Sequence, residues 1–243
     1  MTDFESRAIQ GIVFDVHGTL LRGTGFFMLD DYLTHGNRDK WDRAMNLPHF
    51  TGESDAAATL LREYGLSSKL IRPVAAYLHL RAKWMGFYPE VESVLETVAE
   101  GGYSLATLSN TCSVFVDRMG ELLSSYVPQM HQFVSPFVGA SKPAWEAFMA
   151  PLEKLRLEAG QCLFVGDNLA QDGGAVNYGF PFMWIKRRGK VPDRIMLGDF
   201  EAPVVNSLDN LPIILGRANA RLGEGNYSQQ EVMDSLIYAA NYG

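Results

Sequence analysis

The strongest constraint on the fold of this chain is a set of short, continuous apolar runs, several of which stop at a polar or charged group. They are Ala8–Val16 (AIQGIVFDV), Ser104–Ser109 (SLATLS), His131–Ser135 (HQFVS), Cys162–Gly166 (CLFVG) and Phe182–Ile185 (FMWI), with a weaker sixth at Pro203–Asn206. A strand with one wet face alternates apolar and polar residues. A run with no alternation suits a strand buried on both faces, as in a parallel sheet. Helical patterns lie between the runs. Glu90–Glu100 places Val91, Val94, Leu95 and Val98 on one face, and Pro143–Leu155 opens with Pro143 at the expected first helical position. Strand and helix alternating from residue 90 onward predict an α/β fold with a doubly wound parallel sheet.

Residues 21–88 break this rhythm. They show no convincing strand, and two helices are expected, Glu53–Tyr64 and Ser68–Met85, with Gly65 and Gly86 as their stops. The predicted organisation is a core domain of residues 1–20 and 89–215, a helical cap of residues 21–88, and a C-terminal helical extension of residues 216–243. In the extension, Ser228 and Glu231 form a capping box ahead of a helix with Val232, Met233, Leu236 and Ile237 on one side. That face packs on its own domain or makes a homodimer contact.

Composition narrows the class. Of 243 residues, 47% are apolar and 20% charged, enough for a sizeable core. No run reaches the roughly 18 apolar residues of a membrane span, and the acidic, polar start MTDFESRAIQ does not read as a signal peptide. Two cysteines, Cys112 and Cys162, are too few for a disulfide framework, so a cytoplasmic protein is expected. A net charge of −7 argues against nucleic acid as a partner. The chain has neither the phosphate-loop pattern G-x-x-x-x-G-K-[ST] nor a dinucleotide fingerprint, so ATP and NAD are not indicated.

Four segments place reactive groups at or just beyond strand ends, where open α/β sheets bind ligands. They are Asp15-Val16-His17-Gly18-Thr19-Leu20, Ser109-Asn110, Lys142 in GASKP, and Gly166-Asp167-Asn168 with Asp172 five residues beyond Asp167. Any one of them alone would be read as a helix cap or a solvated side chain. Together they describe a chemistry. Asp15 is a candidate carboxylate nucleophile. Gly18 permits a tight turn that turns its own amide and that of Thr19 toward an anion. Ser109 and Asn110 offer further donors, and Lys142 a positive point charge. Asp15 and Asp167 make a hard oxygen site suited to Mg²⁺, which would shield an anionic nucleophile from an anionic substrate.

These four motifs, in this order and spacing, resemble the haloacid dehalogenase superfamily of hydrolases over about residues 9–215. The resemblance implies a Rossmann-like core with a helical cap inserted after the first motif. Thr51-Gly52-Glu53-Ser54-Asp55 and Tyr88-Pro89-Glu90-Val91 are similar to segments of its phosphoglycolate phosphatase-like branch. It further implies that Asp15 is both nucleophile and metal ligand, and that position 17 lends its backbone carbonyl to the metal. Thr19 and Ser109 become phosphate-binding hydroxyls and Lys142 the third-motif lysine. Asp167 becomes a metal ligand with Asp172 as its supporting acid. The implied function is a Mg²⁺-dependent phosphatase of a small phosphorylated metabolite.

One position departs from the resembling family. Its phosphatases carry a second Asp two residues after the nucleophile, which protonates the leaving alcohol; here that residue is His17. Histidine can serve as an acid/base, with an ordinary pKa of about 6.5. Dehalogenases of the superfamily carry Tyr there and need no metal. Phosphonatases carry Ala and use a cap lysine, for which Lys40, Lys69 and Lys83 are candidates. C–halogen or C–P cleavage, or a catalytically weak binding protein, therefore stand beside the phosphatase reading.

Other features read as structural. His35, His49, His79 and His131 lack metal-ligand spacing. Lys186-Arg187-Arg188-Gly189-Lys190 reads as a solvated loop, with guidance of an anionic substrate as the second reading. Phe26, Phe27, Trp41 and Trp84 read as cap core.

Overall fold

In a computed structural model, residues 8–22, 38–128, 131–223 and 225–242 are described; Phe26, Phe27 and His35 lie outside them. The strands are β1 (Gly11–Phe14), β2 (Leu21–Arg22), β3 (Gly86–Phe87), β4 (Ser104–Ser109), β5 (Gln132–Val134), β6 (Cys162–Gly166), β7 (Phe182–Ile185), β8 (Arg194–Leu197) and β9 (Phe200–Val205). Seven of them form one sheet in the order β5-β4-β1-β6-β7-β9-β8. Every pairing in it is parallel except β8 with β9. β1 lies at the centre, with Gly11 opposite both Ser104 and Cys162. All four of its residues are buried, as are all five of β6. The absence of alternation in these two runs thus reflects cover on both faces.

The helix Val91–Glu100 buries the four residues that its periodicity selects. Trp145–Leu155 starts two residues later than the sequence reading, because Ala144 after Pro143 is still extended. The sheet edge also departs from the reading. β8 was missed because it alternates exposed and half-buried residues. It turns back through Gly198-Asp199, with Leu197 paired to Phe200, so β9 begins ahead of the apolar residues that marked it.

Among the described residues between β2 and β3 the chain is helical, with Glu53–Glu63 and Ile71–Lys83 as the longer helices. Two expectations for this segment are corrected. Leu21–Arg22 and Gly86–Phe87 pair as an antiparallel ribbon that brings the outgoing and returning chain together. Gly86 is therefore a strand residue, and the second helix stops at Lys83. Trp41 is in the apolar core, as expected, but Trp84, at the end of that helix, is 48% exposed. One apolar cluster runs without a break from Ile12 and Leu95 under the sheet to Met45 and Leu60 in the inserted helices.

The helix Leu211–Leu222 crosses the boundary expected at residue 215. Gln229–Tyr242 packs on that helix and on β9. Its Val232, Met233 and Leu236 are buried within this chain, so the apolar face read from the sequence covers its own domain. The capping box is present: the Ser228 hydroxyl and amide both donate to Oε2 of Glu231, at 2.7 and 2.8 Å. Among the described residues no helix is long and apolar enough to cross a membrane.

Candidate active site

The sheet brings the four reactive segments to the carboxyl ends of β1, β4 and β6. Asp15 follows β1 directly, and its amide donates to Val165 of β6 at 2.8 Å, extending the ladder by one residue. The residue is 6% exposed. Lys142 is 1% exposed, and its ammonium spends all three protons on protein acceptors. These are Oδ1 of Asp15 at 2.7 Å, Oδ1 of Asp172 at 2.6 Å and the Leu108 carbonyl at 2.8 Å. Burial alone would lower the Lys142 pKa, but the two carboxylates outweigh it and hold the value above the ordinary one. The lysine is thus a fixed cation joining two acids, and offers no spare proton to a phosphate in this arrangement.

Asn110 likewise departs from its expected role. Its carboxamide is engaged with the Lys142 backbone, donating to the carbonyl and accepting from the amide, both at 2.8 Å. It positions the lysine. Ser109 and Thr19 keep the character expected of them: both are buried, and neither hydroxyl has a partner among the described residues. Thr107, two residues before Ser109, carries a third such hydroxyl, which sequence reading missed because a threonine inside a strand is ordinary.

Asp167 and Asp172 extend the acidic group. One oxygen from each of Asp15, Asp167 and Asp172 lies within 4.8 Å of the others. Asp172 is held by Lys142 and by the amide of Asn168 at 2.9 Å. Asp167 is fitted against Gly18, which has φ +90° and whose Cβ, if present, would lie 2.1 Å from Oδ2 of Asp167. No other residue type suits position 18, on conformation and on space. Asp167 keeps one edge on a cavity of about 260 Å³, shared with Gly18, Tyr88, Trp184 and Arg188. Burial, and then the charges of Asp15 and Asp172, push its pKa up to about 8. Burial pushes Asp172 up to about 6, against the opposing pull of Lys142.

His17 stands apart from this cluster. Its Nε2 lies 3.0 Å from the Thr111 hydroxyl and its ring is edge-on to Phe115. Thr111 donates its amide to Ser135 Oγ, and Ser135 donates its hydroxyl to the Asn46 carbonyl in the insertion. His17 therefore sits where core and insertion meet, and its side chain is not among the grouped acids. His79, facing Glu53 at the surface, and His131, against the Leu105 carbonyl, are structural, as expected. The basic run gives a different result: Arg187 is half-buried against Glu90, its Nη1 2.6 Å from the carboxylate. The partner lies 97 residues away, so no local pattern could have shown it.

The haloacid dehalogenase-like hydrolase family matches residues 9–177. The chain belongs to this family. The haloacid dehalogenase-like chain is 26% identical over 235 residues to (S)-2-haloacid dehalogenase 2 of Pseudomonas sp. (strain CBS-3), spanning 87% of this chain and 98% of that protein. Two solved structures illustrate the shared fold. The 2-haloacid dehalogenase of Pseudomonas syringae pv. Tomato DC3000 has a TM-score of 0.60 at 20% identity, covering 86% of this chain and 99% of that one. A phosphatase of the same family from Thermococcus onnurineus has a TM-score of 0.53 at 21% identity, covering 86% and 98%. The haloacid dehalogenase-like hydrolases thus account for the architecture and for the general class of chemistry.

Proposed function

We propose that this hydrolase cleaves a phosphate ester of a small metabolite with the help of a divalent cation, through a covalent ester on Asp15. One observation carries the reading: three carboxylates share a site with a single ammonium. Three ionised acids and one Lys142 leave an excess of two negative charges. That excess adds to burial in raising Asp167, and it matches a divalent cation. The donors fit such an ion, being hard oxygens throughout, and Oδ2 of Asp15 is buried without a partner among the described residues. Asp15 and Asp167 would hold Mg²⁺, with Asp172 behind them. When bound, the ion would supply charge neutralisation between nucleophile and phosphate.

The protein groups divide the remaining work. A carboxylate oxygen of Asp15 attacks phosphorus, and the bond from phosphorus to the alcohol oxygen breaks. The alcohol oxygen takes a proton, for which His17 is the candidate donor. Water then attacks the acyl phosphate, releases inorganic phosphate and restores the Asp15 carboxylate. Lys142 holds the Asp15 carboxylate in place throughout. Thr19 and Ser109 supply the donors that a bound phosphate would satisfy.

A second reading is favoured by the names of the relatives and by the missing second Asp. The same Asp15 carboxylate can displace halide from a carbon atom, and water then hydrolyses the ester. This route needs no proton for its leaving group and no metal. The deciding assay offers phosphate monoesters, phosphonates and 2-haloacids with and without Mg²⁺. Phosphate release that depends on Mg²⁺ supports the first reading. Halide release, or turnover of phosphonates alone, replaces it. A folded protein that turns over none of them is a binding protein.

A further inference from the structure

Arg187, just beyond β7, reaches back to the loop that follows the nucleophile. Its Nε donates to the Gly18 carbonyl at 3.1 Å and its Nη2 to the Thr19 carbonyl at 2.5 Å. Its Nη1 is held by Glu90 at 2.6 Å, and the guanidinium lies 3.6 Å from the centre of the Tyr88 ring. Glu90 also accepts the Leu208 amide at 3.3 Å. Arg187 is thus locked on the returning end of the insertion while its fork faces the nucleophile loop.

The amides of that loop give this contact its meaning. Gly18 donates to the Leu21 carbonyl, and Leu20 and Leu21 both donate to Val16. The expectation that the Gly18 amide faces an anion is therefore corrected, since it is spent inside the turn. The Thr19 amide has no acceptor among the described residues, and neither has the Thr19 hydroxyl, although Thr19 is fully buried. A bound anion would supply the acceptor that this buried donor pair lacks. In a trans peptide the N–H and C=O point in opposite directions. A guanidinium on the Gly18 carbonyl therefore aims the Thr19 N–H, of the same peptide, to the side away from Arg187. The positive charge also polarises that peptide and strengthens its N–H as a donor.

We propose that Arg187 is a positioning residue that acts through the Gly18–Thr19 peptide, aiming and polarising the Thr19 amide toward the anion bound beside Asp15. This rests on the reading of Asp15 as the nucleophile. It holds for either leaving group, because both routes pass through an anion next to that residue.

The test uses Arg187→Lys, Arg187→Met and Glu90→Gln in the full chain. Kinetics are measured on whichever substrate the wild type turns over, and the Thr19 amide is followed by NMR during titration with inorganic phosphate plus Mg²⁺. Arg187→Met should lower kcat about 10–100-fold with little change in KM, short of the ~10²–10³-fold cost of deleting an anion donor outright. It should also abolish the phosphate response of the Thr19 amide. Arg187→Lys, which can reach one carbonyl, should fall between, and Glu90→Gln, which keeps the acceptor, should stay near wild type. Unchanged kcat and an unchanged Thr19 response in the Arg187 variants, in a protein whose wild type is active, would overturn the proposal and leave the function standing. Equal losses in Arg187→Met and Glu90→Gln, tracking Tm, would also overturn it, by reducing Arg187 to a brace. A wild type with no turnover and a Thr19 amide indifferent to phosphate would sink both readings. If there is no turnover but the amide responds in a way that depends on Arg187, the positioning role stands and the proposed reaction does not.

Discussion

Gly166 and Asp172 occupy one another's space: a Cβ on Gly166 would lie 2.4 Å from Oδ2 of Asp172. The last residue of β6 has no side chain, and the buried acid six positions on folds into the gap, where it meets Lys142. Gly166→Ala should force the acid aside, cost about 1–3 kcal/mol of stability as overpacking does, and remove most turnover. Urea unfolding and initial rates check this. A variant as stable and active as wild type would show that Asp172 has another way to reach Lys142.

Lys142 balances two buried carboxylates, so its removal should be expensive. Lys142→Met is expected to lose about 3–5 kcal/mol, the usual cost of stranding a buried charge. Adding Asp172→Asn should recover part of that loss, giving a cycle that is clearly non-additive. Strict additivity in denaturant melts would contradict the bridging geometry.

The raised acids set a pH dependence for the metal-free protein. Asp167 at about 8 and Asp172 at about 6 hold protons that an unfolded chain releases near its ordinary value of 3.8. Between about pH 4 and pH 8 the folded state binds more protons than the unfolded state, so stability contributed by these groups falls as pH rises through that window. A divalent cation that favours the ionised acids should reverse the trend. The Mg²⁺-induced rise in Tm should therefore be larger near pH 8 than near pH 5.5. A pH-independent rise would place the ion elsewhere.

His17→Asp should restore the acid that phosphatases of this family carry. Alkyl phosphates have leaving groups that need a proton, and such help is worth about 10²–10⁴-fold. The gain should appear on alkyl phosphates and be small on para-nitrophenyl phosphate. Thr111→Val, which removes the hydroxyl beside Nε2, should disturb the native activity without touching the acidic cluster. No gain in His17→Asp, together with loss of the native activity, would reject the phosphatase reading.

The sheet was legible where burial is symmetrical. β1, β4, β6 and β7 announce themselves because both their faces are covered, and their ends locate Asp15, Ser109 and Asp167. β8 was illegible because an edge strand with a wet face has no continuous run. The ribbon of Leu21–Arg22 with Gly86–Phe87 is too short to leave a periodicity. Within the site, residue types predicted the chemistry better than the partnerships. Nothing in GASKP or Ser109-Asn110 says that the carboxamide is spent on the lysine backbone, and the Arg187–Glu90 pair is visible only once the chain has folded.

The central place of β1 also bears on synthesis. It leaves the ribosome first among the strands, yet its two neighbours are encoded about 90 and 150 residues downstream. Until Ser104–Ser109 and then Cys162–Gly166 emerge, Gly11–Phe14 is an apolar segment with no edge to join. Asp15 remains an ordinary solvated acid until Lys142 arrives. The nascent chain therefore carries this apolar strand unpaired for much of translation, while the helices Glu53–Glu63 and Ile71–Lys83, made in that interval, depend on contacts closer in sequence.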